Sequence, residues 1–453
     1  MNSQSFISPS QIRSQFSAAM SAMYRDEVPQ YRRLLALVKQ LNDSALKSPN
    51  SPTHYDIDNL ELEHHGAIRV GTAQELSTLR RLFNVMGMFP VDYYDLGVAG
   101  IPVHSTAFRA INPDELLSSP FRIFTSLLRL DLIDDEQLLQ RAQAILSKRN
   151  IFSTQLLDLI SAAETAGGLS TDQAEQFVKE ALEVFRWHKR ANVDQQTYNE
   201  LSTSHRLIAD VVSFKGPHIN HLTPKVLDID AIQSQFAEQG FRAKALVEGP
   251  PKRTCPILLR QTSFIALEEE VIFSDGTQGS HTARFGEVEQ RGVALTPKGR
   301  HLYDQSLNSA RINKTDGNDY SIILEDAFAS FPDSHEELHR QGLAYYTYLL
   351  VDNQVPLNNY NLSDTESLVK SGNLLLKPII YEDFLPVSAA GIFTSNLASD
   401  NSKETSATVD HSPNQESFEE ALGTTVLASF KLYDKIQKDS LESAIKQLRA
   451  QQG

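Results

Sequence analysis

Apolar residues return at helical spacing through the first part of the chain. After Ser8 and Ser10, either of which can cap, Tyr31, Leu34, Leu35, Leu37 and Val38 form a stripe that predicts helix over about 9–46. The polar break Ser48-Pro49-Asn50-Ser51-Pro52 ends it. The period then changes: Leu60, Leu62, His64 and Gly66 alternate with Glu61, Glu63 and His65, which predicts a strand running towards Ile68 and Val70. Thr72 can cap a helix from Ala73 to about Met86, with Leu76, Leu79, Leu82 and Phe83 on one face and Gly87 at its end. Strand-like runs follow at 89–94, 101–103 and 107–111.

From about 113 to 203 the pattern is helical with no convincing strand, broken by the turn Gly167-Gly168. The earlier order then returns. Residues 209–214 and the segment around His221 read as extended, Asp228 or Asp230 can cap a helix to about Gly240, and strands are predicted at 241–247, 257–265, 269–273 and 281–289. The chain therefore reads as α+β, with two βαβββ-type modules, 53–112 and 206–296, forming a central sheet or partial barrel. A helical segment 1–52 precedes them, a helical insertion 113–205 divides them, and a mostly helical region 297–453 follows. That last region holds a predicted helix over 334–348, an apolar small-residue segment 383–393, a polar stretch 396–414 and an amphipathic helix over about 415–447.

Composition narrows the partners. The 453 residues carry a net charge of −15, which argues against nucleic acid or an anionic membrane but not against a small anion held by a few buried arginines. Cys255 is the one cysteine, so no intramolecular disulfide exists, and its apolar flank Pro256-Ile257-Leu258-Leu259 points to a buried, inert thiol. The first residues lack the pattern of a signal peptide, and no apolar run approaches the roughly 20 residues of a membrane span. The expectation is a soluble cytoplasmic protein.

Each module opens on histidines: Glu63-His64-His65-Gly66-Ala67-Ile68-Arg69 in the first, Gly216-Pro217-His218-Ile219-Asn220-His221 in the second. A carboxylate follows in Phe285-Gly286-Glu287-Val288-Glu289-Gln290-Arg291-Gly292. Two imidazoles and one carboxylate can occupy one face of an octahedral metal and leave room for a chelating 2-oxo acid and dioxygen. Strand alternation admits one of His64 and His65, and one of His218 and His221, whereas Glu287 and Glu289 share a strand face and compete. Arg69 lies on the same strand face as His65, roughly 13 Å along the backbone, within reach of a bound substrate's far end. A surface salt bridge is the commoner fate of an arginine.

At His65-Gly66-Ala67-Ile68-Arg69, Asn220-His221-Leu222-Thr223-Pro224, the Phe285–Gly292 segment and Pro386-Val387-Ser388-Ala389-Ala390-Gly391-Ile392-Phe393, the chain resembles the 2-oxoadipate dioxygenase/decarboxylase family over essentially its whole length. The resemblance implies a vicinal oxygen chelate-like fold and, for bacterial members, a place in lysine catabolism. It implies that His65, His221 and Glu289 bind Fe(II), that Arg69 binds the distal carboxylate of 2-oxoadipate, and that Val387 and Ser388 line the substrate pocket. His64, His218 and Glu287 then become neighbours of the site. The implied reaction is similar to that of hydroxymandelate synthase: 2-oxoadipate and O2 give 2-hydroxyglutarate and CO2, by oxidative decarboxylation and then hydroxylation at iron. Two other readings compete, a non-redox glyoxalase-like lyase or isomerase, which consumes no oxygen, and a non-catalytic metabolite-binding protein.

Overall fold

The structure, a computed structural model, describes residues 6–47, 59–244, 246–264, 268–282, 284–313, 319–351, 365–385 and 413–452. Where one opening helix was expected there are two. Helix α1 (Pro9–Glu27) starts on a capping box between Ser8 and Gln11 and stops at Val28, whose backbone is extended (φ −124, ψ 88). The cause is Pro29, which disfavours helical backbone in the residue before it and then serves as the first residue of α2 (Pro29–Leu46).

The first module comprises β1 (Glu63–Val70), α3 (Ala73–Val85), β2 (Phe89–Asp95) and β3 (Val103–Arg109), then a short helix α4 (Pro113–Ser118) and β4 (Arg122–Leu128). Strand β4 falls in the stretch expected to be wholly helical and carries the module past residue 112. Its seven residues, Arg-Ile-Phe-Thr-Ser-Leu-Leu, are all buried, so neither face shows the polar alternation that marks a half-exposed strand. The sheet runs β2-β3-β4-β1 and continues into β5 (His221–Pro224). One face of β1 turns Ile68 and Val70 into a helix-lined core with Phe16, Leu79, Leu82 and Phe83. The other turns Ala67 towards Phe124, Tyr94 and Phe384.

The insertion supplies α5 (Glu136–Leu146), α6 (Thr154–Ala166), α7 (Thr171–Val184) and α8 (Gln195–Ser204). The extended run expected at 209–214 is instead α9 (Arg206–Ser213), capped by the His205 side chain. Every residue of α9 from Leu207 to Ser213 is buried, and an apolar run buried all round reads equally as strand or helix.

The second module comprises β5, α10 (Ile229–Phe236), β6 (Leu259–Phe264), β7 (Glu269–Ile272), β8 (Gln278–His281) and β9 (Gly286–Arg291). In the first module β1 lies parallel to β4; in the second, β5 bridges β9 in parallel at Lys225 and Glu289. The two first strands, β1 and β5, join antiparallel, with Ala67 opposite His221 and His65 opposite Thr223. The two modules thus meet along their first strands, as expected of a vicinal oxygen chelate-like fold. The first has the expected three strands after its helix, whereas the second has four, with β6 paired to β9 and β7 to β8. Gly66 permits the close approach: a Cβ there would lie 2.8 Å from Ile219 Cδ1 and 3.0 Å from Leu222 Cδ2.

In the C-terminal region the helix expected over 334–348 is only His335–Arg340, and Tyr346–Leu350 pairs with Leu374–Pro378 as an antiparallel hairpin. The last helix is divided into Pro413–Leu422 and Ser429–Gln452, with Gly423 in the left-handed region (φ +74) between them. Cys255 is buried just before β6, its Sγ 3.2 Å from His335 Nδ1, and burial pushes the thiol up to about 12. It is an inert thiol at neutral pH.

Candidate metal centre and substrate clamp

The antiparallel register of β1 and β5 sets His65 and His221 on one face of the joined sheets, their rings perpendicular with centroids 5.5 Å apart. Strand β9 brings a carboxylate between them. Glu287 Oε1 lies 3.0 Å from His65 Nε2 and 3.6 Å from His221 Nε2. Donor atoms of His65, His221 and Glu287 all lie within 4.8 Å of one another, and all three residues are buried. Thr223 Oγ1 and Gln261 Nε2 donate to the same Glu287 oxygen at 3.0 and 2.9 Å, which fixes the carboxylate. Its other oxygen, Oε2, is buried with no hydrogen-bond partner, as are His221 Nδ1 and His65 Nδ1. Buried polar atoms are seldom left so, and this donor set fits a divalent metal ion.

Glu289, two residues further along the same face, lies outside that group. Its Oε2 is 2.8 Å from the opposite ring nitrogen, His65 Nδ1, and its two oxygens accept from Arg291 Nε and Nη2 at 2.7 and 2.9 Å. Arg122, opposite His65 on β4, brings Nη1 to 3.6 Å from Glu289 Oε1. Burial alone would raise the Glu289 carboxyl; the charges of Arg291, His65 and Arg122 outweigh it and hold the group well below the carboxylate range. Burial likewise works to lower His65, but Glu289 and Glu287, one on each ring nitrogen, raise it. His221 is held well below its ordinary value by burial and by the charges of His65 and Arg69. His221 is therefore neutral and free to donate a lone pair.

Arg69 projects from the His65 face of β1, with Ala67 between the two. It is buried, and its Nη1 donates to Asp210 Oδ2 on α9 at 2.8 Å. Phe384 packs edge-on against His65, with centroids 5.0 Å apart, and against Phe124 at 5.1 Å. Its neighbour Asp383 is clamped by Arg109, whose Nε and Nη2 donate at 2.7 and 3.0 Å. Val387 and Ser388, the expected pocket residues, lie outside the described residues.

Sequence reasoning did not single out Asp210, Arg122 or Arg291. Asp210 had a signal: it is a lone acid within the apolar run Leu207-Ile208-Ala209-Asp210-Val211-Val212, where an unpaired charge is too costly to bury.

Two imidazoles and a carboxylate converging where the paired modules join form a donor set that could hold a metal ion, the kind of site that metal-dependent enzymes use. The chain belongs to the 2-oxoadipate dioxygenase/decarboxylase family, whose model matches residues 16–396. It is 50% identical to a 2-oxoadipate dioxygenase/decarboxylase of Pseudomonas putida, over 99% of both chains. It is 52% identical to a protein of the same description from Escherichia coli, over 96% of this chain and 98% of that one. The crystal structure of the Pseudomonas putida hydroxyglutarate synthase in complex with 2-oxoadipate superposes with a TM-score of 0.87 at 49% identity, covering 97% of this chain and 99% of the other. No helix among the described residues is long and apolar enough to cross a membrane.

Proposed function

We propose that this chain binds Fe(II) through His65, His221 and Glu287 and converts 2-oxoadipate and O2 into 2-hydroxyglutarate and CO2. The observation that carries the reading is the His65–His221–Glu287 group, buried at the joined strands of a chain that matches its family along its length. The carboxylate assigned to the metal moves two residues from the expected Glu289. Glu287 faces the ring nitrogen that His65 turns towards His221, whereas Glu289 is spent on His65 Nδ1 and Arg291. Glu289 lies 2.8 Å from His65 Nδ1 without a hydrogen bond between them, and its two oxygens are taken by Arg291, which suits it to an electrostatic supporting role.

Iron, when bound, supplies the oxygen chemistry that side chains lack. The residues bind, orient and exclude water. Arg69 takes the distal carboxylate of the substrate, so that its 2-oxo acid end is presented to the His65 end of the same strand. Phe384, Phe124 and Ala67 keep the space between them apolar, and His221 stays neutral as a donor. The equation balances with one O2 and no separate reductant or second 2-oxo acid, so the substrate is its own electron source.

Anaerobic reconstitution with Fe(II), followed by oxygen uptake with 2-oxoadipate, 2-oxoglutarate and 4-hydroxyphenylpyruvate, tests the reading. Uptake is expected with 2-oxoadipate, together with release of CO2. Absence of uptake with 2-oxoadipate on an iron-loaded protein sinks it and leaves the lyase and binding readings.

A further inference from the structure

Asp210 stands at the centre of a buried polar chain that the chemistry above does not use. Its Oδ2 accepts from Arg69 Nη1 at 2.8 Å, while Oδ1 lies 2.9 Å from His281 Nε2 and 3.3 Å from His218 Nε2. Beyond His281, its Nδ1 lies 2.8 Å from the hydroxyl of Tyr198. The ring of His281 is stacked on Trp187, at 6.0 Å and 6° between planes, and His218 meets Trp187 edge-on at 4.7 Å. Three segments therefore converge on the carboxylate that α9 carries, namely β1, the segment before β5, and β8, and α8 backs the last of these through Tyr198. Asp210, His218 and His281 are each about 5% exposed or less. Burial works to raise the Asp210 carboxyl, but His218, His281 and Arg69 hold it well below its ordinary range, so it is ionised.

Such a construction is more than Arg69 needs for burial. One acceptor would satisfy one guanidinium edge; here the acceptor is itself locked by two imidazoles on its other oxygen, and one of those is locked in turn. A guanidinium is long and rotamer-rich, and its position along the β1 face sets how far from the metal a distal carboxylate must lie. Fixing that position converts chain length into affinity, because a shorter diacid bound at the metal cannot reach the fixed guanidinium.

We infer that Asp210, braced by His281 and Tyr198, is a positioning residue that sets the substrate chain length by holding Arg69 in place. The inference rests on the reading of Arg69 as the distal-carboxylate clamp. Asp210 does not touch substrate or metal; it acts through Arg69. Removing its charge has two consequences with the same sign for selectivity. Arg69 gains freedom to follow a shorter diacid, and its less compensated charge attracts any carboxylate.

The test is direct binding of 2-oxoadipate and 2-oxoglutarate to the Fe(II) protein under argon, by calorimetry, with kcat and KM for both measured in air. In Asp210→Asn the preference for the six-carbon over the five-carbon acid is expected to fall about tenfold, through dissociation constants and KM rather than kcat, with iron content unchanged. Tyr198→Phe, at the outer end of the chain and not fully buried, is expected to fold normally and lose about two- to threefold of the same preference. Unchanged preference in a folded, iron-loaded Asp210→Asn overturns the inference, as does unchanged preference in Tyr198→Phe if Asp210→Asn fails to fold. Arg69→Ala separates the two readings. If it keeps 2-oxoadipate binding, the clamp reading itself is wrong. If it loses that binding while Asp210→Asn keeps the preference, only the role of Asp210 is wrong.

Discussion

Glu287 and Glu289 stand two residues apart on one strand face and address opposite nitrogens of a single ring, His65 Nε2 and Nδ1, at 3.0 and 2.8 Å. Their charges have different fates. Glu289 is neutralised by Arg291 and flanked by Arg122, whereas Glu287 accepts from Thr223 and Gln261, lies 3.0 Å from His65 Nε2 and retains a bare oxygen.

Removing the two charges is therefore expected to give unequal losses. Glu287→Gln should lose iron and activity together. Glu289→Gln should keep the site but weaken iron about 10- to 100-fold, the usual effect of losing a carboxylate behind a ligand histidine. Iron titration monitored by metal analysis after desalting decides it, and the reverse ranking returns the ligand role to Glu289.

Arg69→Ala is expected to retain iron and lose about 100-fold or more in kcat/KM on 2-oxoadipate, since a broken buried charge pair is worth about 3–5 kcal/mol. Turnover equal to wild type would remove Arg69 from substrate binding.

Gly292, just past β9, tests how tightly the carboxylate strand is seated. A Cβ there would lie 2.1 Å from the carbonyl carbon of Pro256 and 2.3 Å from the nitrogen of Ile257, both backbone atoms that cannot swing aside. Gly292→Ala is expected to cost about 2–3 kcal/mol or more of stability and to weaken iron binding by displacing β9. Denaturant midpoints and iron content measured together check this; a wild-type midpoint would show that the segments part at no cost.

His104 gives a pH signature away from the metal. It is 4% exposed beside the Tyr93 hydroxyl and Phe418. Burial, with the charge of Arg129, pushes it down to about 4. An unfolded histidine titrates near 6.5, so between those values the unfolded chain binds more protons and stability falls as pH is lowered. The His104 contribution is intact above about pH 6.5 and lost below about 4, a span of about 3 kcal/mol. Unfolding free energies measured between pH 4 and 7 should show a shallower acid decline in His104→Gln, and an unaltered decline would assign it to other groups.

Helix α3 was legible because one of its faces is wet. It announced itself by a 3.6-residue stripe and strand β1 by alternation of residue types, although β1 is buried from His65 to Val70. Strand β4 and helix α9 did not. Both are buried on all sides, so the solvent that imprints a period on sequence never touches them. The sequence likewise does not separate Glu287 from Glu289. Strand period places both on one face but says nothing of which ring nitrogen each meets, since that depends on β1 and β9 lying beside each other in the folded chain. Asp210 escaped because its helix did.

The seam at Gly66 gives the metal a mechanical meaning. With one histidine on each side of the β1–β5 junction and the carboxylate on β9, an ion at the centre would act as a rivet through both halves, and the missing Cβ at residue 66 brings the plates close enough to fasten. Neither half carries a complete ligand set, so the first half cannot be catalytically useful until the second has folded against it. An ion bound there would then serve as the chain's own record of finished assembly.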